Sequence, residues 1–240
     1  IELFSTGRWL TDALAAIHDI GTRGRTPIVV GGTGLYFKAL TEGLADIPAA
    51  DPEVRAALRE RAEREGAPVL HADLAKRDPV TAARLEPNDA PRILRALEVL
   101  ETTGESISAL QANTKPALAP DEWAGLVLTP DREGLYAAIN ARFDAMLREG
   151  ALDEVRAFAA RKLDPALPAM KAHGAPALMA HLRGEMTLDE AAEIGKRDTR
   201  RYAKRQFTWI ANQMPEWPRI AEEDRSARLS AALALADQAR

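Results

Sequence analysis

Cysteine is missing altogether from the 240 residues. Disulfides, cysteine nucleophiles and thiolate metal sites are excluded by that absence, and a reducing compartment is compatible with it. Nowhere does the chain offer the roughly 18 consecutive apolar residues that a membrane span needs. It opens Ile1-Glu2-Leu3-Phe4-Ser5, without a basic start followed by an apolar core, so no signal peptide is expected. Positive charge is not in excess: 32 lysines and arginines face 36 acids, for a net charge of −4. The whole protein is therefore no basic nucleic-acid binder, and such a role would need a local patch. What remains is 46% hydrophobic and 28% charged, the make-up of a soluble globular chain of one or two domains.

Along the chain, Arg8 to Ile20 reads as an amphipathic helix ended near Gly21 and Gly24. The run Thr26-Pro27-Ile28-Val29-Val30 reads as a buried strand, Gly31-Gly32-Thr33-Gly34 as a glycine loop, and Leu35 onward as a helix. That order predicts an α/β domain with a parallel sheet. Only one other stretch, Gly125 to Thr129, reads as a strand. Two strands do not make a stable α/β core, so the implied sheet is incomplete. Asp46 to Pro52 has linker chemistry, with Asp51 as N-cap and Pro52 as first helical residue. Helices are expected over 53–65, 69–75, 80–84 and 90–104, making an all-helical insertion over 46–120 between core parts 1–45 and 121–240. Further helices are expected over 132–149, 151–160 and 223–239, with one or two more over 187–211.

Chemistry could reside in a few places. The Gly31–Gly34 loop lies at the C-terminal end of a predicted parallel strand, where α/β ligands bind and where Thr33 offers a hydroxyl. It is neither a Walker loop nor a dinucleotide fingerprint, and a ligand role and a plain tight turn both stay open. Lys196 to Gln206 holds the densest charge. On a helix, Arg197, Arg201 and Arg205 form one i,i+4 row, and Lys196, Arg200 and Lys204 a second, with Asp198 the single carboxylate among them. Like charges at this spacing disfavour a helix, which hints at an anionic partner such as a diphosphate or an RNA backbone. A solvated stripe neutralised by distant acids is the bland reading. Arg142 flanks an apolar helix face and is expected partly buried, paired by default with an internal carboxylate. Arg92 and Arg95 could touch phosphates or make surface ion pairs; Leu94, Leu97 and Leu100 take one face of their helix, and Glu98 is placed near the arginine face. His18, His71, His173 and His181 lie in no metal-ligand spacing and read as structural or exposed.

Several runs, taken in order, resemble one family. They are Pro27 to Tyr36, Asp51 to Arg55, Pro87-Asn88-Asp89 followed by Arg92 to Val99, Arg142 on its helix, and Ala203-Lys204-Arg205-Gln206 with Thr208-Trp209. The chain resembles bacterial tRNA dimethylallyltransferases, also called tRNA isopentenyltransferases, from about Phe4 to Trp217. The resemblance implies a P-loop nucleotide-kinase-like core and a helical insertion that clasps an anticodon stem-loop. It implies transfer of a dimethylallyl group from dimethylallyl diphosphate to the exocyclic amine of the adenosine 3′ of the anticodon. It implies that magnesium assists diphosphate departure and that the base is flipped out of its loop. A cytoplasmic monomer, with no membrane partner, is the accompanying expectation.

By the same resemblance, Thr33 lines the reaction channel near the target base, and Arg142, with Arg205, meets the donor diphosphate. Contacts to tRNA are implied for Arg55, for Pro91, Arg92 and Arg95, for Lys171, His173 and Gly174, and for Lys204, Arg205, Gln206 and Trp209. Where the family has Gly-Tyr-Lys/Arg, this chain has Gly174-Ala175-Pro176. The family's opening strand, its Gly-x-x-x-x-Gly-Lys-Ser/Thr loop and its Asp-Ser pair have no counterpart in the sequence. The chain is thus expected to lack that N-terminal segment, which would have held the magnesium, and to be inactive alone. A non-catalytic tRNA-binding short form, or a fragment, is the alternative expectation.

Overall fold

A computed structural model of the chain describes residues 4–165 and 167–238. The chain divides into two compact units, one made of Ile1–Tyr36 with Pro120–Arg240 and one of Phe37–Ala119.

The first unit begins with α1 (Thr6–Thr22), whose first turn is capped by Ser5 accepting from the Arg8 N–H at 3.2 Å. Residues 25–30 follow without regular secondary structure, and α2 (Gly34–Thr41) starts directly after the glycine loop. The expected strand at Thr26–Val30 does not form, and Ile28 and Val30 are 81% and 87% exposed. A β-branched run favours extended backbone, yet a strand exists only through a ladder partner. Among the described residues no strand lies beside it.

The second unit carries helices only among its described residues. It begins at Phe37, ahead of the expected start at Asp46, because Leu40 is buried and its carbonyl oxygen accepts from the N–H groups of Ala117 and Leu118. Next come α3 (Pro52–Glu65), α4 (Ala67–Arg77), the short α5 (Pro79–Ala82), α6 (Ala90–Thr103) and α7 (Ile107–Ala112). Asp51 caps α3 through the Glu53 N–H at 2.8 Å. Leu58, Leu70, Leu74, Ala82, Ile93, Ala96 and Leu97 form its core, where each fully buried Leu or Ile contributes about 1.5–3 kcal/mol. His71 is structural here. Its Nε2 lies 3.0 and 3.1 Å from the carbonyl oxygens of Ala82 and Leu85, which only accept, so that nitrogen carries the proton.

The chain then returns to the first unit. Here β1 (Val127–Leu128) pairs in parallel with β2 (Arg219–Ile220), Val127 opposite Arg219. Between them lie α8 (Arg132–Arg148), α9 (Ala151–Ala160), a 3-10 turn at Pro168–Lys171, α10 (Ala175–Leu182) and α11 (Leu188–Gln213). The last element is α12 (Arg225–Gln238), and the expected helix end at 239 lies outside the described residues. The fold is thus mostly helical with one small parallel sheet. Among the described residues no helix is long and apolar enough to cross a membrane.

Candidate functional site

The 26 residues of α11 organise the first unit. A reciprocal capping box starts this helix. Thr187 Oγ1 accepts from the Glu190 N–H at 3.2 Å, and Glu190 Oε2 accepts from the Thr187 N–H at 2.8 Å. The Thr187 backbone N–H, then its hydroxyl, hold the Glu190 carboxyl below the usual carboxylate range.

One turn on, α11 crosses α8. Phe143 is 5% exposed and its ring meets Gly195 and Gly174. A β-carbon at Gly195 would stand 2.3 Å from Phe143 Cζ, and one at Gly174 would stand 2.8 Å from its Cε2. Two polar pins flank the ring: Lys196 Nζ lies 2.7 Å from Asp144 Oδ1, and Arg200 donates to Asn140 Oδ1. The Asp144 carboxylate first, and Glu193 second, raise the Lys196 pKa. Ring and pins together set the register of the two helices.

At its far end α11 meets the glycine loop. Gln206 Nε2 donates to the carbonyl oxygen of Gly32 at 2.7 Å. A β-carbon at Gly32 would stand 2.3 Å from that nitrogen, and one at Gly34 would stand 2.1 Å from Trp209 Cε3. Gly34 is thus required by the close approach of the Trp209 ring, while at Gly32 the neighbour is the movable end of the Gln206 side chain. Beyond the loop, Tyr36 stacks on Trp9 with ring centroids 4.3 Å apart and planes 10° from parallel. Thr33, between the two gripped glycines, is exposed.

The cationic stripe separates into three uses. Lys196 and Arg200 pin α8. Arg197 and Arg201 share Asp198, at 3.2 and 3.8 Å. The side chains of Lys204 and Arg205 have no carboxylate partner among the described residues, and Arg205 lies over the Tyr202 ring at 5.6 Å. Tyr202 also meets the His173 ring, with centroids 4.9 Å apart. Lys171, His173 and Gly174 border a shallow cavity of about 80 Å³ with Pro176, Ile194 and Asp198. The departure at Ala175-Pro176 has a structural use, since these residues open α10, with proline tolerated in a first turn. Arg142 is corrected: it is exposed and pairs with no carboxylate among the described residues. Its neighbours Phe143 and Asp144 take the inward face instead, which turns Arg142 outward.

In the second unit, Glu98 does share a face with Arg95, three residues before it, and is buried at 7% exposure. Arg55 Nε reaches its Oε1 at 3.3 Å, and Arg95 reaches its Oε2 at 3.6 Å. Arg95 also donates to the Pro48 carbonyl oxygen at 3.3 Å. Arg55 and Arg95 are therefore tethered. Arg92 extends into solvent at 74% side-chain exposure, paired with Asp89 three residues back, and Pro91 beside it is exposed.

The sequence reading missed Tyr202, Asn140 and the Glu98 clamp. Only Glu98 left a signal, a lone acid between Leu97 and Val99. Among the described residues no group of three His, Asp or Glu side chains is placed to hold a metal ion.

The family model described as IPP transferase matches residues 1–213. A tRNA dimethylallyltransferase of Nitrobacter hamburgensis is 56% identical over 227 residues, which cover 94% of this chain and 72% of that protein. Among solved structures, the full-length tRNA isopentenylpyrophosphate transferase of Bacillus halodurans aligns with a TM-score of 0.63 and 33% identity. That alignment covers 99% of this chain and 74% of that one. A eukaryotic dimethylallyltransferase acting on tRNA aligns with a TM-score of 0.71 and 27% identity, over 99% of this chain and 60% of that one.

Proposed function

The chain belongs to the IPP transferase family, whose curated relatives are tRNA dimethylallyltransferases, and from that membership we propose what its residues do. The reaction is transfer of a dimethylallyl group from dimethylallyl diphosphate to the exocyclic amine of the adenosine 3′ of the anticodon in tRNA. The bond from the prenyl carbon to the diphosphate oxygen breaks, a bond to the amine nitrogen forms, and the amine loses a proton. The core is of the P-loop nucleotide-kinase type. The observation that carries the reading is on α11: next to Gln206, which grips the loop of Thr33, stand Lys204 and Arg205, cations with no carboxylate partner among the described residues.

In this reading Thr33 presents its hydroxyl to the extruded base. Arg142 and Arg205 meet the departing diphosphate, where a fixed cation stabilises developing negative charge. Lys204, Lys171 and His173, with Arg92 and Pro91 of the second unit, meet the RNA, and phosphate contacts of this kind make binding salt-dependent. Gly174 serves by its close approach to Phe143. Arg55 and Arg95 contribute charge from fixed positions on Glu98. In this reading magnesium would be held through the donor diphosphate.

The 240 residues contain no Gly-x-x-x-x-Gly-Lys-Ser/Thr loop. The reading therefore expects this polypeptide alone to hold an anticodon stem-loop without turnover. The test measures, in parallel, binding of an anticodon stem-loop RNA and prenyl transfer to it from labelled dimethylallyl diphosphate. Binding without transfer is expected. Transfer by these residues alone overturns the assignment of the missing chemistry, and absence of binding overturns the RNA-holding role.

A further inference from the structure

Gln206 and Trp209 stand in a stretch to which direct RNA contact is ascribed, yet their side chains are already engaged. Gln206 spends its amide on the Gly32 carbonyl oxygen at 2.7 Å. That oxygen only accepts, so the amide nitrogen is the end that faces it. Trp209 lies so close to Gly34 that not even a β-carbon fits between them. The two side chains sit three residues apart on α11, which places them on one helix face. They bracket Thr33 from both sides in sequence, one on the residue before it and one on the residue after it.

We propose that Gln206 and Trp209 are positioning residues, which grip the backbone of Gly32 and Gly34 and so fix where the Thr33 hydroxyl stands. This deepens the functional reading above and rests on it for the role of Thr33. Three features support it. Both side chains lie against the loop backbone: a β-carbon at Gly32 would fall 2.3 Å from Gln206 Nε2, the movable end of that side chain, and one at Gly34 would fall 2.1 Å from Cε3 of the Trp209 ring, which requires the glycine there. The exposed Thr33 has no side-chain hydrogen bond of its own among the described residues, so its place is set by the backbone on either side. And α11 is itself held in register on α8 by Phe143, Asp144 and Asn140. One rigid element thus carries both the grip on the Thr33 loop and the contacts that position the helix of Arg142. Catalytic groups need placement to well under an ångström, and a glycine loop gripped by nothing would not supply it.

Direct contact and positioning differ in how substitutions combine. Gly32→Ala drives a β-carbon into the Gln206 amide, and Gln206→Ala removes that amide. The experiment compares Gly32→Ala, Gln206→Ala, their double variant and Gln206→Glu, the last keeping the side-chain volume while setting a carboxylate against the Gly32 carbonyl. The first readout is hydrogen exchange of the backbone amides from Gly31 to Tyr36, which needs neither RNA nor turnover. The second is affinity for an anticodon stem-loop RNA. Exchange is expected to quicken at least tenfold in Gln206→Glu and in Gln206→Ala. The affinity lost in Gly32→Ala is expected to return within threefold of the Gln206→Ala value when both are combined. Unchanged exchange in Gln206→Glu overturns the grip, and affinity losses that multiply in the double variant overturn positioning in favour of direct contact. Should the parent chain bind no stem-loop, the functional reading fails, while the exchange result still decides the grip.

Discussion

The ring of Phe143 occupies the space a β-carbon would take at Gly195, with Cζ 2.3 Å from that position. Alanine ordinarily stabilises a helix interior over glycine by about 1 kcal/mol. Here the added methyl overpacks the α8–α11 crossing, at a cost of about 1–3 kcal/mol. Gly195→Ala is expected to lower stability on balance, read as a drop in urea midpoint at unchanged slope. Phe143→Leu in the same chain is expected to recover part of the loss.

The Lys196 side chain is only 13% exposed and lies against Asp144 and Glu193. Its folded pKa is raised, Asp144 being the larger cause. The stabilisation is fully present below the ordinary lysine range and is lost as pH climbs through the raised value. Lys196→Met is expected to cost about 1.5–3 kcal/mol near neutrality, the worth of a charged hydrogen bond. It should also flatten the alkaline limb of a stability–pH curve.

Acid acts on the other end of the same helix. The Glu190 carboxyl is held below its ordinary range, first by the Thr187 N–H and then by its hydroxyl. The cap therefore stabilises above the ordinary carboxylate range and fails as pH falls through the lowered value. Glu190→Gln is expected to remove that dependence while leaving stability near neutral pH slightly reduced. Thermal midpoints of the two proteins, taken from pH 3 to 7, check it; parallel curves would refute the assignment.

Arg92 and Arg95 should part company in RNA binding. Arg92→Ala is expected to leave stability within about 0.5 kcal/mol and to reduce the slope of log affinity against log salt by about 1. Arg95→Ala also removes one of the two cations on the buried Glu98, leaving it Arg55 alone, so it should lower the melting temperature as well as the affinity. Salt titrations of stem-loop binding beside melting curves separate the two effects.

Arg142 faces solvent without a carboxylate among the described residues. Arg142→Ala is expected to change stability by no more than about 0.5 kcal/mol and to weaken inorganic diphosphate binding at least tenfold. A melting temperature that falls sharply would show a structural role instead.

Long periodic helices were legible in the sequence: the expected 132–149 stands as Arg132–Arg148, and the one or two helices expected over 187–211 stand as the single Leu188–Gln213. Their apolar spacing and caps are local signals. The strand at Thr26–Val30 was misread because pairing is a property of a neighbour, not of the run itself. Strand β2 was missed for the complementary reason: Arg219-Ile220 has no pattern of its own and forms on Val127-Leu128. At the site, residue types were readable but their partners were not. Nothing in the charge run distinguishes Lys196, which pins α8, from Lys204, which pins nothing among the described residues. Likewise the four residues from Gly31 to Gly34 read equally as turn or ligand loop until Gln206 and Trp209 explain the glycines by contact.

The division of the chain has a consequence for how the protein emerges from the ribosome. Phe37–Ala119 is contiguous, whereas the other unit joins Ile1–Tyr36 to Pro120–Arg240. At roughly 5–20 residues per second, the contiguous unit has all its parts seconds before the split one does. During that interval Gly32 is already made and Gln206 is not. The loop around Thr33 then waits for the Gln206 amide and the Trp209 ring that lie against it in the folded chain.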